Sequence, residues 1–270
     1  MNITFIGGGN MAQAIAGGLI RKGFAAQSIC AVEPLAEARE RLSRQFGVRA
    51  VASAAEAAPF GDLVVMAVKP QQMREAAGAI KTLVAGSLVL SIAAGTRLTD
   101  LQRWLGGHAL LARCMPNTPA LVGEGITGLY CAPQASADQR RMAVEVLQAV
   151  GKVIEVESEA LLDPVTAVSG SGPAYVFLFI EALQRAAAEL GLDAAQARAL
   201  ALQTFTGAAR LAASSDEDVS VLRERVTSKG GTTERALASM REDKVVEAIV
   251  RAIHAANTRA GELGDMLGKD

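Results

Sequence analysis

The first twelve residues constrain most strongly what this chain can fold into. Residues 2–6 read NITFI, a short apolar run with β-branched and aromatic side chains, which is typical of a buried strand. Residues 7–12 follow directly and read GGGNMA, which fits the pattern G-x-G-x-x-A. A helical pattern begins at once, with Ile15, Leu19 and Ile20 on one side. The sequence therefore opens with a strand, a glycine turn and a helix.

This order of elements predicts a dinucleotide-binding turn. Gly7 allows the chain to turn sharply, Gly9 leaves room for a pyrophosphate beside the backbone, and Ala12 lets the helix pack close to the strand. The N-terminus of the helix then faces the anion. A glycine-rich turn that only packs remains the alternative.

Composition limits the partners. The chain has 270 residues, 50% of them hydrophobic and 20% charged, and a formal net charge of -1. This is enough for one large domain or two modest ones. A net charge so close to neutral argues against nucleic acid or an anionic membrane as the main partner. We read no apolar run that approaches the ~20 residues of a spanning helix, and no signal peptide before the first strand.

Cysteine and histidine usage indicates the compartment. Cys30, Cys114 and Cys131 lie far apart on predicted strands, which predicts buried, reduced thiols and a cytoplasmic protein. The two histidines, His108 and His254, form no cluster with them, so we expect no metal site.

Strand and helix signals alternate in the first part of the chain. Predicted strands cover residues 2–6, 28–32, 48–51, 62–68, 87–92, 110–114, 126–131 and 152–156. Near-continuous apolar strands flanked by helices predict a parallel sheet covered on both faces. The fold class is therefore α/β, with a Rossmann-type doubly wound sheet at the N-terminus.

Strand signals end after Ser158, and helices are predicted over residues 171–190, 194–213 and 232–262. We expect a dinucleotide-binding domain over residues 1–160 and an all-helical domain for substrate binding and dimerisation over residues 161–270. Residues 174–180 read AYVFLFI and are apolar at every position. A helix that is apolar all round must be buried all round. A helical domain of this size has too much surface to enclose it, so a second copy is expected to cover it.

Glu33 lies 21 residues after Ala12, at the end of the second predicted strand. This position fits the acid that hydrogen-bonds the adenosine ribose and favours NAD over NADP. The alternative is a solvated charge at the end of a strand. Arg39, Arg41 and Arg44 are close enough in sequence to help bind a 2′-phosphate, or they sit in water on a helix face.

Two further strand ends carry polar residues. Lys69 follows an apolar strand and is fixed by Pro70, so it is predicted to pair with a cofactor phosphate or a substrate carboxylate. Asn117 lies in a stiff turn between Pro116 and Pro119, which suits the presentation of an amide to a nicotinamide carboxamide. A surface lysine and an ordinary loop are the alternatives.

Residues 227–234 read TSKGGTTE and precede a predicted helix. Backbone N–H groups at a helix N-terminus bind small anions, and the hydroxyls of Ser228, Thr232 and Thr233 add donors. An ordinary helix cap with a flexible lead-in is the alternative. Residues 170–172 read GSG but lack the spacing of a nucleophile turn, so serine hydrolysis is disfavoured and a capped helix start at residues 169–173 is predicted.

Taken in order, these motifs resemble the pyrroline-5-carboxylate reductase family over nearly the whole chain. The resemblance rests on residues 5–11, 67–70, 91–95, 115–119, 169–175 and 230–233. It implies hydride transfer to the C=N bond of 1-pyrroline-5-carboxylate, which gives L-proline. It implies NADPH as the coenzyme, with NADH as the alternative, and a homodimer through the helical domain that assembles further.

The resemblance also implies roles for individual residues. Those implied to touch the cofactor are Ile6, Gly7, Gly8, Gly9, Asn10, Met11, Ala67, Val68, Lys69, Pro70, Ile92, Ala93 and Ala94. Those implied to hold the substrate are Ser228, Gly230, Gly231, Thr232 and Thr233, with Thr233 near the ring nitrogen and named as the catalytic residue. Lys229 departs from the family, which usually has proline there. Glu33 departs as well, since small polar residues are common there, so the coenzyme preference stays open.

The reaction asks little of the protein. An imine accepts hydride well only when its nitrogen is protonated, so the protein must align the two reactants, exclude water and support that nitrogen. We expect Thr233 to orient a proton rather than to donate one. Two alternatives remain: another imine or hydroxy-acid dehydrogenase of similar layout, and a non-catalytic NAD(P)-binding sensor. Residues 174–190 contain no lysine, which disfavours the hydroxy-acid version.

Overall fold

The computed structural model describes residues 1–269. These divide into two compact units, one formed by residues 1–171 with the chain from residue 256 onward, and the other by Gly172–Ala255. This division differs from the predicted one at residue 160, because the first unit includes a further short helical stretch and the last part of the chain. The domain assignment itself remains a prediction.

The first unit contains one sheet with eight strands in the described residues. These are β1 (Ile3–Ile6), β2 (Ile29–Val32), β3 (Arg49–Val51), β4 (Leu63–Met66), β5 (Leu88–Ser91), β6 (Leu111–Met115), β7 (Gly125–Cys131) and β8 (Gly151–Glu155). Their order is β3-β2-β1-β4-β5-β6-β7-β8. Every predicted strand is present with slightly different ends, and the doubly wound Rossmann-type order is confirmed.

The prediction of an entirely parallel sheet is wrong at one pair. β7 runs antiparallel to β6, with Arg113 opposite Tyr130, whereas the other neighbouring strands are parallel. The link between β6 and β7 holds only a short 3₁₀ helix, Thr118–Val122, which is too short for a parallel crossover. The prediction that helices cover both faces of the sheet also fails at β8, where Lys152, Ile154 and Glu155 are exposed.

Helices cover both faces of the sheet. They are α1 (Asn10–Arg21), α2 (Ala36–Phe46), α3 (Ala54–Ala57), α4 (Met73–Ile80), α5 (Leu98–Trp104), α6 (Ala137–Leu147) and α7 (Leu162–Val165). Because side chains alternate along a strand, Ile3 and Phe5 of β1 join one core with Ile15 and Leu19. Ile6 joins the core on the opposite face.

The remaining helices are α8 (Gly172–Glu189), α9 (Ala194–Ala213), α10 (Val219–Arg225), α11 (Thr232–Glu242) and α12 (Val245–Leu267). The predicted helix over residues 232–262 is in fact two, because Lys244 between them has φ 52°. The predicted capped start at Ser169 is also wrong: its hydroxyl donates to the Val165 carbonyl at 3.0 Å, and Thr166–Gly170 is already a π-helical stretch. α10 was not predicted.

Apolar side chains of the second unit are exposed in the single chain. Between residues 172 and 255 only Ala197 and Ala201 are buried. Phe177 is 60% exposed and Leu178 is 65% exposed, so the chain alone does not supply the expected cover for α8. By length and composition alone, the helical stretch Glu159–Glu189 could also cross a membrane. It is the single such stretch in residues 1–269, and one stretch is weak evidence for a membrane span.

Candidate functional site

The carboxyl ends of β1, β2, β4 and β5 form one continuous edge. The N–H of Gly7 donates to the Val32 carbonyl at 2.8 Å, and the N–H of Ala67 donates to the Ile6 carbonyl at 2.8 Å. The N–H of Ile92 continues the row to the Met66 carbonyl at 3.2 Å. Strand order reverses between β1 and β4, which is where open α/β sheets bind ligands. The predicted cofactor residues of three separate segments therefore lie side by side.

The glycine turn forms an open cradle at the start of α1. Gly7 has φ 102°, and a Cβ added to it would lie 2.7 Å from the Ala67 carbonyl oxygen, so only glycine fits there. Gly9 differs: its backbone is extended, and a Cβ added to it would meet nothing within 4 Å. The first N–H groups of α1 lack intrahelical partners, and no side chain caps them. A pyrophosphate group fits this space and charge.

Asn10 and Met11 form the first turn of α1, where Asn10 is exposed and Met11 is half-buried. Gln13 follows in the same helix, and its amide Nε2 donates to the Gly8 carbonyl at 2.7 Å. This contact was not predicted from the sequence, although Gln13 lies about one turn after the glycine turn. Gln13 fixes the turn from inside the helix.

Glu33 lies next to the glycine turn. Its Oε2 accepts a hydrogen bond from the N–H of Gly8 at 2.9 Å, and its Oε1 accepts one from the N–H of Leu35 at 3.0 Å. Arg39 Nη1 donates to the carbonyls of Glu33 at 2.8 Å and Pro34 at 2.6 Å. Glu33 is therefore a fixed, half-buried carboxylate rather than a freely solvated one.

The other predicted cofactor segments complete the edge. Lys69 is exposed with an extended backbone, and Pro70 opens a short 3₁₀ helix. Ala67 and Val68 are half-buried beside the glycine turn. Ala93 is buried, and its N–H donates to Ser91 Oγ at 3.3 Å, while Ile92 and Ala94 are half-buried. These segments supply apolar walls and one cation.

Asn117 has a structural use in this chain. Its Oδ1 accepts a hydrogen bond from the N–H of Ile126 at 3.0 Å, and its Nδ2 donates to the Ser169 carbonyl at 3.2 Å. The side chain is buried and holds the turn after β6 in place. A contact with a nicotinamide carboxamide remains a prediction, for which the second N–H of this amide is still available.

A buried ion pair lies beside this edge and was missed from the sequence. Arg113 Nη1 of β6 is 3.0 Å from Glu159 Oε1, and its Nη2 is 3.8 Å from Asp163 Oδ1. The same Glu159 oxygen accepts a hydrogen bond from the N–H of Leu98 at the start of α5, at 2.8 Å. The network joins β6, α5 and α7. The signal in the sequence is Arg113 itself, because an arginine within an apolar strand needs a buried acidic partner.

The second group of predicted residues forms the turn into α11. The N–H of Gly231 donates to the Ser228 carbonyl at 3.0 Å, and a Cβ added to Gly231 would lie 2.5 Å from Ser228 Oγ. Glu234 Oε2 accepts a hydrogen bond from the N–H of Gly230 at 2.6 Å. Thr232 and Thr233 begin α11. Its N-cap residue is Gly231, and no side chain caps the first N–H groups of this helix. Ser228, Gly230, Gly231, Thr232 and Thr233 thus come together in one turn with free helix N–H groups, beside the exposed Lys229.

The three thiols lie in the first unit and are free. Burial raises the pKa of Cys114 strongly, and it raises the pKa of Cys131 to about 11. Burial also raises the pKa of Cys30, although Arg49 opposes this. These groups are protonated at neutral pH and do not serve as thiolate nucleophiles.

The open glycine cradle at the switch point of a doubly wound sheet defines a dinucleotide-binding oxidoreductase fold. Residues 2–95 match the family model described as NADP oxidoreductase coenzyme F420-dependent. Residues 159–263 match the model for pyrroline-5-carboxylate reductase dimerisation.

Whole-chain relatives give the particular family. The chain is 44% identical to a pyrroline-5-carboxylate reductase of Pseudomonas aeruginosa, over 99% of this chain and 98% of the relative. The pyrroline-5-carboxylate reductase structure from Coxiella burnetii has a TM-score of 0.92 at 41% identity, over 97% and 98% of the two chains. The Plasmodium falciparum enzyme, solved with NADP bound, has a TM-score of 0.87 at 28% identity, over 98% of each chain.

This chain belongs to the pyrroline-5-carboxylate reductase family. It is an NAD(P)H-dependent oxidoreductase that reduces 1-pyrroline-5-carboxylate to L-proline. NADPH is supported as its coenzyme. The two alternatives, another dehydrogenase of similar layout and a non-catalytic sensor, are not favoured.

Proposed function

We propose that the glycine turn and its neighbours hold the coenzyme and that the turn into α11 holds the substrate during this reduction. The observation that carries the first part is the hydrogen-bonded row of Gly7, Ala67 and Ile92 beside the open position at Gly9. A pyrophosphate at this cradle accepts hydrogen bonds from the first N–H groups of α1. When bound, the coenzyme supplies the hydride.

The substrate carries a carboxylate and a ring nitrogen that is protonated when the carbon of the C=N bond accepts hydride. The uncapped N–H groups of Thr232 and Thr233 at the start of α11 suit the carboxylate. The Thr233 hydroxyl would accept a hydrogen bond from the protonated ring nitrogen and keep it oriented. We assign Thr233 this orienting role because a threonine hydroxyl is a very weak acid. Ser228 and Gly231 fix the turn through their mutual contact.

Glu234 competes for part of this turn in the absence of substrate. Its carboxylate accepts the hydrogen bond of the Gly230 N–H, a donor assigned here to substrate binding. A bound substrate carboxylate would either share that turn with Glu234 or displace it. Lys229 is next to Gly230, and its positive charge would reduce the repulsion between the carboxylates of Glu234 and the bound substrate.

We further propose that the protein acts as a homodimer in the cytoplasm, with further assembly of dimers. The dimerisation match over residues 159–263 and the exposed apolar side chains of α8 support the dimer. The three free cysteines support a reducing compartment.

The direct test follows the absorbance of NADPH, and separately of NADH, after addition of 1-pyrroline-5-carboxylate, with L-proline measured by chromatography. We expect stoichiometric loss of reduced coenzyme and gain of L-proline. A small hydroxy acid with the oxidised coenzyme serves as the comparison substrate. Turnover of that acid without turnover of the imine would assign the chain to another dehydrogenase class, and binding of coenzyme without either reaction would make it a sensor.

A further inference from the structure

Glu33 occupies a fixed place at the edge of the coenzyme cradle. It follows β2 directly, and its own N–H donates to the Val51 carbonyl of β3 at 2.9 Å. Arg39 holds its carbonyl oxygen, and the N–H groups of Gly8 and Leu35 hold its two carboxylate oxygens. Both the backbone and the side chain of this residue are therefore held, so its negative charge stays beside the glycine turn.

The carboxylate has unused acceptor capacity. An ionised carboxylate offers about four acceptor sites on its two oxygens. The structure uses one site on each oxygen, both for backbone N–H groups. About two sites remain, which matches the two hydroxyls of a ribose diol. In doubly wound dinucleotide-binding folds an acid at the end of this strand meets the adenosine ribose.

We propose that Glu33 is the specificity-determining residue that sets the ratio of NADH to NADPH binding. Its carboxylate accepts hydrogen bonds from the 2′- and 3′-hydroxyls of NADH and repels the 2′-phosphate of NADPH. A phosphate monoester carries a charge of about −1.5 to −2 at neutral pH, so the repulsion acts on NADPH alone. This inference deepens the proposed function, because it rests on the coenzyme binding at the glycine turn.

Arg39 is a cation that contacts the backbone beside this carboxylate. Its Nη1 is already committed to the carbonyls of Glu33 and Pro34. Its remaining N–H groups leave one competing arrangement, in which Arg39 binds the 2′-phosphate and Glu33 only holds the turn. Arg41 is exposed, and Arg44 lies 3.8 Å from Glu40 in an exposed pair.

The test uses the full chain and two variants, Glu33→Gln and Glu33→Ser. Glutamine keeps the shape and one acceptor oxygen without the charge, whereas serine removes the acceptor group from the turn. Glu40→Gln is the matched control, because it removes the same charge from an exposed position on α2. Dissociation constants for NADPH and NADH are measured by the fluorescence of the reduced nicotinamide, and the thermal midpoint of each variant is recorded.

Both Glu33 variants are expected to improve the affinity ratio of NADPH to NADH by roughly tenfold or more, since close like charges at a half-buried site cost about this much. The control is expected to keep the wild-type ratio within about twofold, as an exposed, screened charge contributes little. Adenosine 5′-monophosphate with and without a 2′-phosphate, used as competitors, should show the same change. That result would place the effect on the 2′-phosphate itself.

Three results would overturn the inference. An unchanged ratio in the glutamine variant, which is the less disruptive one, would show that Glu33 does not contact the ribose. Equal loss of both coenzymes with a lower thermal midpoint would show that Glu33 only supports Gly8. Loss of NADPH binding in Arg39→Gln, with no effect of Glu33→Gln, would assign the ratio to Arg39. Because binding is measured without turnover, a shifted ratio in a chain that does not reduce 1-pyrroline-5-carboxylate would contradict the proposed substrate site and leave the coenzyme site and this inference standing.

Discussion

The two units of this chain bury their apolar residues to very different extents. In the first unit, β1, β4 and β5 are buried along their whole length, and cores lie on both faces of the sheet. In the second unit, residues 172–255, only Ala197 and Ala201 are buried, although residues 174–180 of α8 are apolar at every position. The first unit is complete as a single chain. The second unit leaves apolar side chains of α8 exposed where a protein interior would pack them, and this difference supports the proposed dimer surface.

The largest expected effect comes from Phe177 and Phe179 of α8. Replacing both with Asp should abolish the dimer and the activity together, because burial of two phenylalanine side chains contributes about 3–6 kcal/mol. Sedimentation at micromolar concentration and the imine reduction assay measure the two losses. Ile154→Asp in β8 is the control, since Ile154 is 54% exposed in the first unit.

Phe179 also packs against Phe205 with ring centroids 6.4 Å apart, so its replacement can disturb the fold of the protomer. Phe177→Asp alone, at a 60% exposed position, separates the two effects. An active wild-type monomer would remove the interpretation of α8 as a dimer surface. Co-sedimentation of the wild type with phospholipid vesicles would indicate that a membrane, and not a second copy of the chain, covers the apolar side chains of α8.

The next effect concerns the glycine turn of the first unit. Gly9→Val should weaken coenzyme binding by at least about a hundredfold, or ~2.7 kcal/mol, because the side chain would fill the pyrophosphate position. The fold should survive, since a Cβ at Gly9 meets nothing within 4 Å and the backbone is extended. Fluorescence titration with NADPH measures the loss. Gly78→Val in α4, where a Cβ also meets nothing, is the control.

Unchanged NADPH affinity in a folded Gly9→Val protein would take the glycine turn out of the site. A loss of folding in both valine variants would instead show that the first unit tolerates new volume less well than its open positions suggest.

A smaller effect is expected at the turn into α11. Thr233→Ala should lower turnover roughly threefold to tenfold, and up to about a hundredfold if a charged partner loses its hydrogen bond. The affinity for NADPH should stay the same, because Thr233 belongs to the proposed substrate group. Thr233→Ser keeps the hydroxyl and should retain most of the rate. Wild-type kinetics in the alanine variant would reduce Thr233 to a residue that only begins a helix.

The smallest effect concerns the thiols of the first unit. Because burial raises their pKa values, with Cys131 at about 11, the folded chain should react very slowly with iodoacetamide near neutral pH and keep its activity. In the unfolded chain these thiols ionise at lower pH than in the folded one. Stability should therefore fall as the pH rises above about 9 toward 11, in the direction set by proton linkage. Rapid alkylation at pH 7 of the native chain, detected by mass spectrometry, would contradict the burial.

The sequence predicted the elements that depend on local pattern. The glycine turn, all strands of the sheet and α9 are legible because hydrophobic period, glycine and capping residues act over short distances. The antiparallel step at β7 was missed, since strand direction depends on the length of a linker that also contains a 3₁₀ helix. The break at Lys244 was missed because neither glycine nor proline marks it.

The site shows the same limit. The members of each predicted group could be named from motifs, and the structure brings Gly7, Ala67 and Ile92 into one row. The partners of individual polar atoms could not be predicted. The contacts of Glu33 with Gly8, of Glu234 with Gly230 and of Asn117 with Ile126 depend on side-chain geometry that no spacing rule fixes.

The last turns of α12 have a consequence for how the protein is made. A Cβ added to Gly95 would lie only 2.9 Å from Leu267 Cδ1, so the two residues pack closely. Asp265 Oδ1 forms an ion pair with Arg97 Nη2 at 2.7 Å. Arg103 also donates to the Gly268 carbonyl at 2.9 Å. The first unit thus takes part of its surface from residues that follow the whole second unit along the chain. N-terminal domains usually fold during synthesis, whereas this one is completed only after residues 172–255 have been synthesised and the segment that follows them has left the exit tunnel.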